Sequence, residues 1–395
     1  MCFLKGLFFK RSKNKSDGKT RKATDANEQE HQLREKLLSE VRELLDEEVA
    51  DGAPPSASDI IFQKYKEGEI PYWKAADLAR DGLSYCNDLD DLVYRFYPRE
   101  QTGKRTGPLP VVSGEDIVRG AIYGDITGSP YEGFRQNDIK DAIDDPYEMG
   151  CRMTDDSYLT MATYSVIKSG DSARLTKREM TLKDICERSS FPFEYNPYTH
   201  AYRAMAKRFP NAGYGSAFYY WFKHNDSENP YGSLGNGSAM RVSPVGAFVE
   251  TKEDVIIKAA ESAMATHNHR EGVKGAIVTA MCIWMARNGF SKEDIFQYMC
   301  RHYSYGVKQF ENFTYEEARH TSLYQVQCSY SVPAAVIAFH ESTSFMDAIE
   351  KAACAGFDTD TNACICGGIA AAYYGLPDKA REVVNKELEK NGLNF

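Results

Sequence analysis

Apolar residues recur at three- and four-residue steps along much of this chain, the rhythm of helices that each bury one stripe. From His31 to Val49 the stripe is Leu33, Leu37, Leu38, Val41, Leu44, Leu45 and Val49, and Gly52, Pro54 and Pro55 end it. Ser58 and Asp59 can cap a second short helix through Tyr65, and further helical stretches run near Trp73 to Leu83 and Leu89 to Tyr97. The polar, glycine- and proline-bearing stretch Pro98 to Pro108 closes this region. Beyond Val111 come long stretches rich in Ala, Met, Ile and Leu, such as Gly275 to Ala286 and Val332 to His340, separated by short glycine-rich or acidic loops. Few segments alternate apolar and polar at a two-residue period, which disfavours a parallel-sheet enzyme, and no repeat has a solenoid period. The expected fold is all-α, with a flexible basic tail (1–30), a small helical extension (31–110) and a helical domain (111–395).

Composition changes this picture little. The chain has 395 residues with a formal net charge of −9, which gives no general reason to expect a nucleic-acid partner. No apolar run approaches the roughly 18 to 20 residues needed to span a bilayer. The opening MCFLKGLFFKRS has too short an apolar core for a signal peptide, so a cytoplasmic location is expected. Its Phe3, Leu4, Leu7, Phe8 and Phe9 among basic residues fit a disordered terminus better than a membrane contact. Lys10 to Glu30 lack the apolar side chains that would offset ordering entropy. Ten scattered cysteines point to reduced thiols, and Cys364 and Cys366 read as small buried side chains on a crowded helix.

Two acidic clusters stand at helix entrances. Thr154-Asp155-Asp156-Ser157 precedes the apolar stretch Tyr158 to Ile167, and Gly356-Phe357-Asp358-Thr359-Asp360-Thr361-Asn362 precedes the small-residue helix Ala363 to Tyr374. Taken singly, each reads as a cap with carboxylates complementing the helix dipole. If the two entrances face each other, four carboxylates repel unless hard cations such as Mg²⁺, Mn²⁺ or Ca²⁺ neutralise them. An EF-hand starting at Asp358 fails, because its sixth and twelfth positions hold Ala363 and Ile369. An aspartyl phosphotransferase is a weak fit, because Ala352 to Gly356 is small and helix-like where a strand is needed.

Three more segments carry candidate chemistry. Gly124-Asp125-Ile126-Thr127-Gly128-Ser129-Pro130-Tyr131-Glu132 reads as a loop after a short helix, with Glu132 a candidate catalytic carboxylate and Asp125 a cap. Gly235-Asn236-Gly237-Ser238 is either a diphosphate-cradling turn or a tight turn with Asn236 left-handed. Thr266-His267-Asn268-His269 finds no companion His/Cys cluster for a metal, so His267 reads as a hydrogen-bonding contact to ligand.

The order of these motifs resembles the ADP-ribosylglycohydrolase family, over about Val111 to Pro377: GDITGSPYE, MTDDSYLTMA, GNGSAMRVSPVG, THNHREG and FDTDTNACICGG. The resemblance implies a compact orthogonal multi-helix domain with a binuclear Mg²⁺ (or Mn²⁺) centre. Its metal ligands would be Thr154, Asp155, Asp156, Asp358, Asp360 and Thr361. It implies that Glu132 or Asp358 handles the proton, and that Gly235, Asn236, Gly237, Ser238 and His267 bind the ADP-ribose. Phe357 departs from the family's second glycine before the acidic motif. The implied reaction removes ADP-ribose from a protein side chain, arginine foremost; a modified nucleic-acid end stays open as acceptor. The alternative is an immunity protein whose N-terminal extension occludes a cognate ADP-ribosyltransferase toxin.

Overall fold

The computed structural model describes residues 105, 109–133, 140–146, 149–175, 178–179, 193–224, 229–303, 326–355 and 358–395. All of them fall in the unit Asn87–Phe395. The expected tail and helical extension lie outside the described residues, apart from Arg105, Leu109 and Pro110.

Helices dominate, as expected. In chain order they are α1 Gly114–Gly128, α2 Lys140–Asp144, α3 Asp155–Ser169, α4 Pro197–Arg208, α5 Ser216–His224, α6 Gly237–Met240 and α7 Ser243–Phe248. They continue with α8 Lys252–Met264, α9 Arg270–Arg287, α10 Lys292–His302, α11 Cys328–Glu341, α12 Phe345–Cys354, α13 Thr359–Tyr374 and α14 Asp378–Lys390. Strands β1 (Arg174–Leu175), β2 (Arg178–Glu179) and β3 (Phe193–Tyr195) form one small antiparallel sheet in the order β2-β1-β3. Strands of two or three residues are too short to show an alternating pattern, so the sequence gives no sign of them.

Six of the described helices begin where a short polar side chain meets an orphan amide. Ser113, Thr154, Asn196, Thr251, Ser291 and Ser344 each accept a backbone hydrogen bond as N-cap. Helices α9 and α13 are buried on nearly every face, as their unbroken runs of Ala, Ile, Met and Cys require. Around α13 pack α1, α9, α11 and α12. Cys364 and Cys366 are buried in α13 as free thiols, as the sequence led us to expect. Arg105 lies over the Tyr373 ring and donates to the Tyr373 and Ala286 carbonyls, so one cation serves the C-terminal ends of α13 and α9.

One expectation is corrected. Gly124 to Gly128 is not a loop but the last turn of α1, and only Ser129–Tyr131 beyond it form a 3-10 turn. The close backbone approach that Gly124 and Gly128 were expected to permit is present, but within a helix: Gly120, Gly124 and Gly128 share one face of α1. A Cβ on Gly124 would lie 2.0 Å from the Ala363 carbonyl oxygen, and one on Gly128 would lie 2.6 Å from the Asp360 Cα. From the other side, a Cβ on Gly367 would lie 2.2 Å from the Gly120 carbonyl oxygen. The backbones of α1 and α13 therefore touch directly, and Thr359 Oγ1 ties them by donating to the Gly128 carbonyl at 2.9 Å. Gly124→Ala is expected to force the two helices apart, costing more than about 4 kcal/mol as an overpacked backbone contact. A melting temperature within two degrees of wild type would contradict this packing.

Candidate metal centre

The contact between α1 and α13 brings acidic side chains from three helices together. Asp125 continues the buried stripe of Val118, Ala121 and Ile122 on α1, Asp156 opens α3, and Asp360 opens α13. All three are buried, and one carboxylate oxygen from each lies within 4.8 Å of the others. The helix entrances that the sequence could only assume to face each other do so.

Each carboxylate has a distinct set of partners. Asp125 accepts from the Thr154 hydroxyl at 2.6 Å, the Thr154 amide at 2.9 Å and the Ser157 amide at 3.1 Å, and also from the Ser157 hydroxyl. It thereby supplies cap acceptors to α3 from a neighbouring helix and orients Thr154. Thr154 also caps its own helix, accepting from the Asp156 amide at 3.4 Å. Asp156 keeps Oδ1 without a hydrogen-bond partner among the described residues, an expensive state for a buried acceptor. Asp358 is the N-cap of α13 but makes no side-chain cap; its carboxylate instead accepts from Asn236 Nδ2 at 2.6 Å.

The electrostatics follow from this crowding. Burial raises the carboxyls of Asp125, Asp156 and Asp360 above the ordinary range; for Asp156 and Asp360 the neighbouring aspartates raise them further. Asp155, half-buried at the first position of α3, is pushed up to about 8 by burial and then by the Asp125 charge. Among the described residues, no cation is a main influence on any of these four groups. Glu132 stands exposed just past the 3-10 turn; partial burial raises its carboxyl first, the Asp358 charge adds to this, and Arg152 opposes it.

The remaining candidates surround this cluster. Thr361 is buried, its amide donating to Asp360 Oδ1 at 2.9 Å. The Gly235 turn is pinned by Asn236 N donating to the Val326 carbonyl at 2.8 Å and by Cys328 Sγ donating to the Gly235 carbonyl at 3.0 Å. Asn236 has φ −77° and ψ −6°, so the left-handed alternative is corrected: Asn236 leads into the right-handed turn of α6. Ser238 is buried with its hydroxyl donating to the Gly272 carbonyl at 2.7 Å. His267 is buried beneath the glycines: a Cβ on Gly237 would lie 3.1 Å from its Nε2. Its neighbour His269 is the N-cap of α9. Phe357 lies outside the described residues.

Asp125 belongs to the cluster, although the sequence reading gave it only a capping role. A carboxylate on the apolar stripe of an otherwise buried helix was the available signal, masked by reading that helix end as a loop.

The helical domain gathers buried carboxylates from three helices, with no cationic side chain as a main influence on them among the described residues. Residues 116–392 match the family model for ADP-ribosylglycohydrolase, and the chain belongs to that family. It is 26% identical over 320 residues to human ADP-ribosylhydrolase ARH3, covering 66% of this chain and 84% of the relative. The Bos taurus ADP-ribosylhydrolase ARH3 is 25% identical over the same length and coverage. A solved structure described as an ADP-ribosylglycohydrolase-related protein complex aligns at a TM-score of 0.47 and 19% identity, covering 71% of this chain and 96% of that one.

Proposed function

We propose that this protein is a divalent-metal-dependent hydrolase that releases ADP-ribose from a modified acceptor, with a protein side chain such as arginine the first to test. The observation that carries the reading is the buried triad Asp125, Asp156 and Asp360, whose mutual repulsion no side-chain cation relieves among the described residues. The donor set fits two Mg²⁺ or Mn²⁺ ions: hard oxygens only, buried, with Asp156 Oδ1 unpartnered. Thr154, Asp155, Asp156, Asp358, Asp360 and Thr361 would hold them, while Asp125 orients Thr154 and Ser157 from behind. When bound, such ions supply Lewis acidity, orient sugar hydroxyls and lower the pKa of a coordinated water.

The chain's own groups manage the substrate and the proton. Glu132 has a carboxyl raised toward neutrality at the rim of the cluster, suited to exchange a proton with the attacking water or the departing acceptor. Asp358 is the second candidate, held in place by Asn236. The Gly235–Ser238 turn and His267 would bind the ADP-ribose. The toxin-neutralising alternative rests on residues 31–110, nearly all outside the described residues.

Incubating the protein with Mg²⁺ and defined ADP-ribosylated arginine, serine and nucleic-acid substrates, with free ADP-ribose as readout, tests the reading. Release from at least one acceptor that stops on chelation supports it; release undiminished in chelator, or none from any acceptor, contradicts it. Glu132→Gln is expected to lower kcat by about 10² to 10⁴ with metal affinity retained. Undiminished kcat would move proton transfer to Asp358.

A further inference from the structure

Beneath the glycine turn lies a chain of polar contacts that ends at His267. Arg241, between α6 and α7, is fully buried yet pairs with no carboxylate among the described residues. Its Cζ lies 4.0 Å from the centroid of the Tyr202 ring, and Nη2 donates to the Ser262 carbonyl at 3.0 Å and to Thr266 Oγ1 at 2.8 Å. Nε and Nη1 have no partner among the described residues, so the fold retains a costly buried cation. Thr266 Oγ1 in turn lies 2.7 Å from His267 Nδ1. The Tyr231 ring lies 6.0 Å from that of His267.

We propose that Arg241 is a positioning residue that, through Thr266, holds His267 as the Nε2–H tautomer and turns that N–H toward a ligand oxygen beneath the Gly235–Gly237 turn. A guanidinium can only donate, so Thr266 Oγ1 accepts from it. With Arg241 donating to one of its lone pairs, the Thr266 hydroxyl has its own proton to give to His267 Nδ1. The Arg241 charge reinforces this, because a lone pair on the Nδ1 side faces the cation better than an N–H would. Burial, then that same charge, holds the His267 pKa well below its ordinary value, so the ring is neutral. Arg241 and Tyr231 are the charged and titratable groups that face the ring among the described residues. Nε2 has no hydrogen-bond partner among the described residues. Glycine at 237 leaves room for the ring edge, since a Cβ there would lie 3.1 Å from Nε2.

The ligand half of this inference, a phosphoryl or ribose oxygen of ADP-ribose, rests on the proposed function; the tautomer half does not. Arg241 substitutions risk the fold, so the test uses Thr266→Val, which keeps the shape and removes the hydroxyl, with Thr266→Ser as rescue. Histidine-selective ¹⁵N NMR from pH 5 to 8, assigned with His267→Gln, is expected to show wild-type His267 neutral with Nε2 protonated. Thr266→Val is expected to give mixed tautomers, and Thr266→Ser to restore the single form. A wild-type Nδ1–H tautomer, or a Thr266→Val spectrum like wild type, overturns the relay. Calorimetry with ADP-ribose in Mg²⁺ is expected to show roughly tenfold weaker binding for Thr266→Val and recovery for Thr266→Ser, the scale of one hydrogen bond to a charged group. Equal affinities overturn the ligand half. Absence of wild-type binding overturns that half and the proposed function together, while the NMR still decides the tautomer.

Discussion

Asp360→Asn is expected to reduce ADP-ribose release by more than a hundredfold while raising the melting temperature of the metal-free protein. The two effects have one cause. Asp360 is buried among carboxylates and its pKa is raised well above the ordinary value, by burial first and Asp156 second. At pH 8 the metal-free fold must keep this group protonated or hold it ionised beside Asp156, and both cost stability that an amide does not. A buried ion carries a desolvation penalty of several kcal/mol, so a neutral isostere that relieves part of it raises the melting temperature, each kcal/mol being worth about 2 to 4 °C for a domain of this size. Activity falls because a hard anionic donor is lost; even the supporting partners of metal ligands are worth about 10- to 100-fold. The checks are calorimetry in chelator and the release assay in Mg²⁺. A metal-free Asp360→Asn protein that melts below wild type would contradict the repulsion on which the account rests.

The metal-free wild-type protein is expected to lose stability steadily as pH rises from about 4 to about 8. Asp125, Asp155, Asp156 and Asp360 all have folded-state pKa values raised above those of the unfolded chain, with Asp155 at about 8. Below the unfolded carboxylate value near 4, both states carry the protons and the full contribution is present. Above it the unfolded chain releases protons that the fold retains, so stability falls until the folded groups ionise as well. Saturating Mg²⁺ should flatten this slope by neutralising the ionised cluster. Melting curves at pH 5, 6, 7 and 8, with chelator and with Mg²⁺, provide the comparison. A metal-free stability that is constant or rises across this range would contradict the shifts.

Much of this centre was legible because a helix entrance writes itself locally. Thr154 followed by Asp155 and Asp156, and Asp358 followed by Asp360, precede uninterrupted small apolar runs, and α3 and α13 begin there. Hidden was whatever depends on a partner in space. Gly124 and Gly128 read as loop glycines until α13 is laid against them, and only then does Asp125 turn into the cluster. Asn236 after a glycine looks left-handed in isolation; its pairing with Val326 and Asp358 makes it right-handed instead. The Arg241 relay joins residues whose contacts no local pattern announces.

The central claim, that the three-helix carboxylate cluster is a divalent-metal site, is tested most directly by titrating Mg²⁺ or Mn²⁺ into chelator-treated protein at pH 7 in buffers of different ionisation enthalpy. The expected result is saturable binding with net proton release, because raised carboxyls must ionise to coordinate, and loss of that binding in Asp156→Asn and Asp360→Asn. Absence of binding, or binding that survives both substitutions without proton release, would contradict the account.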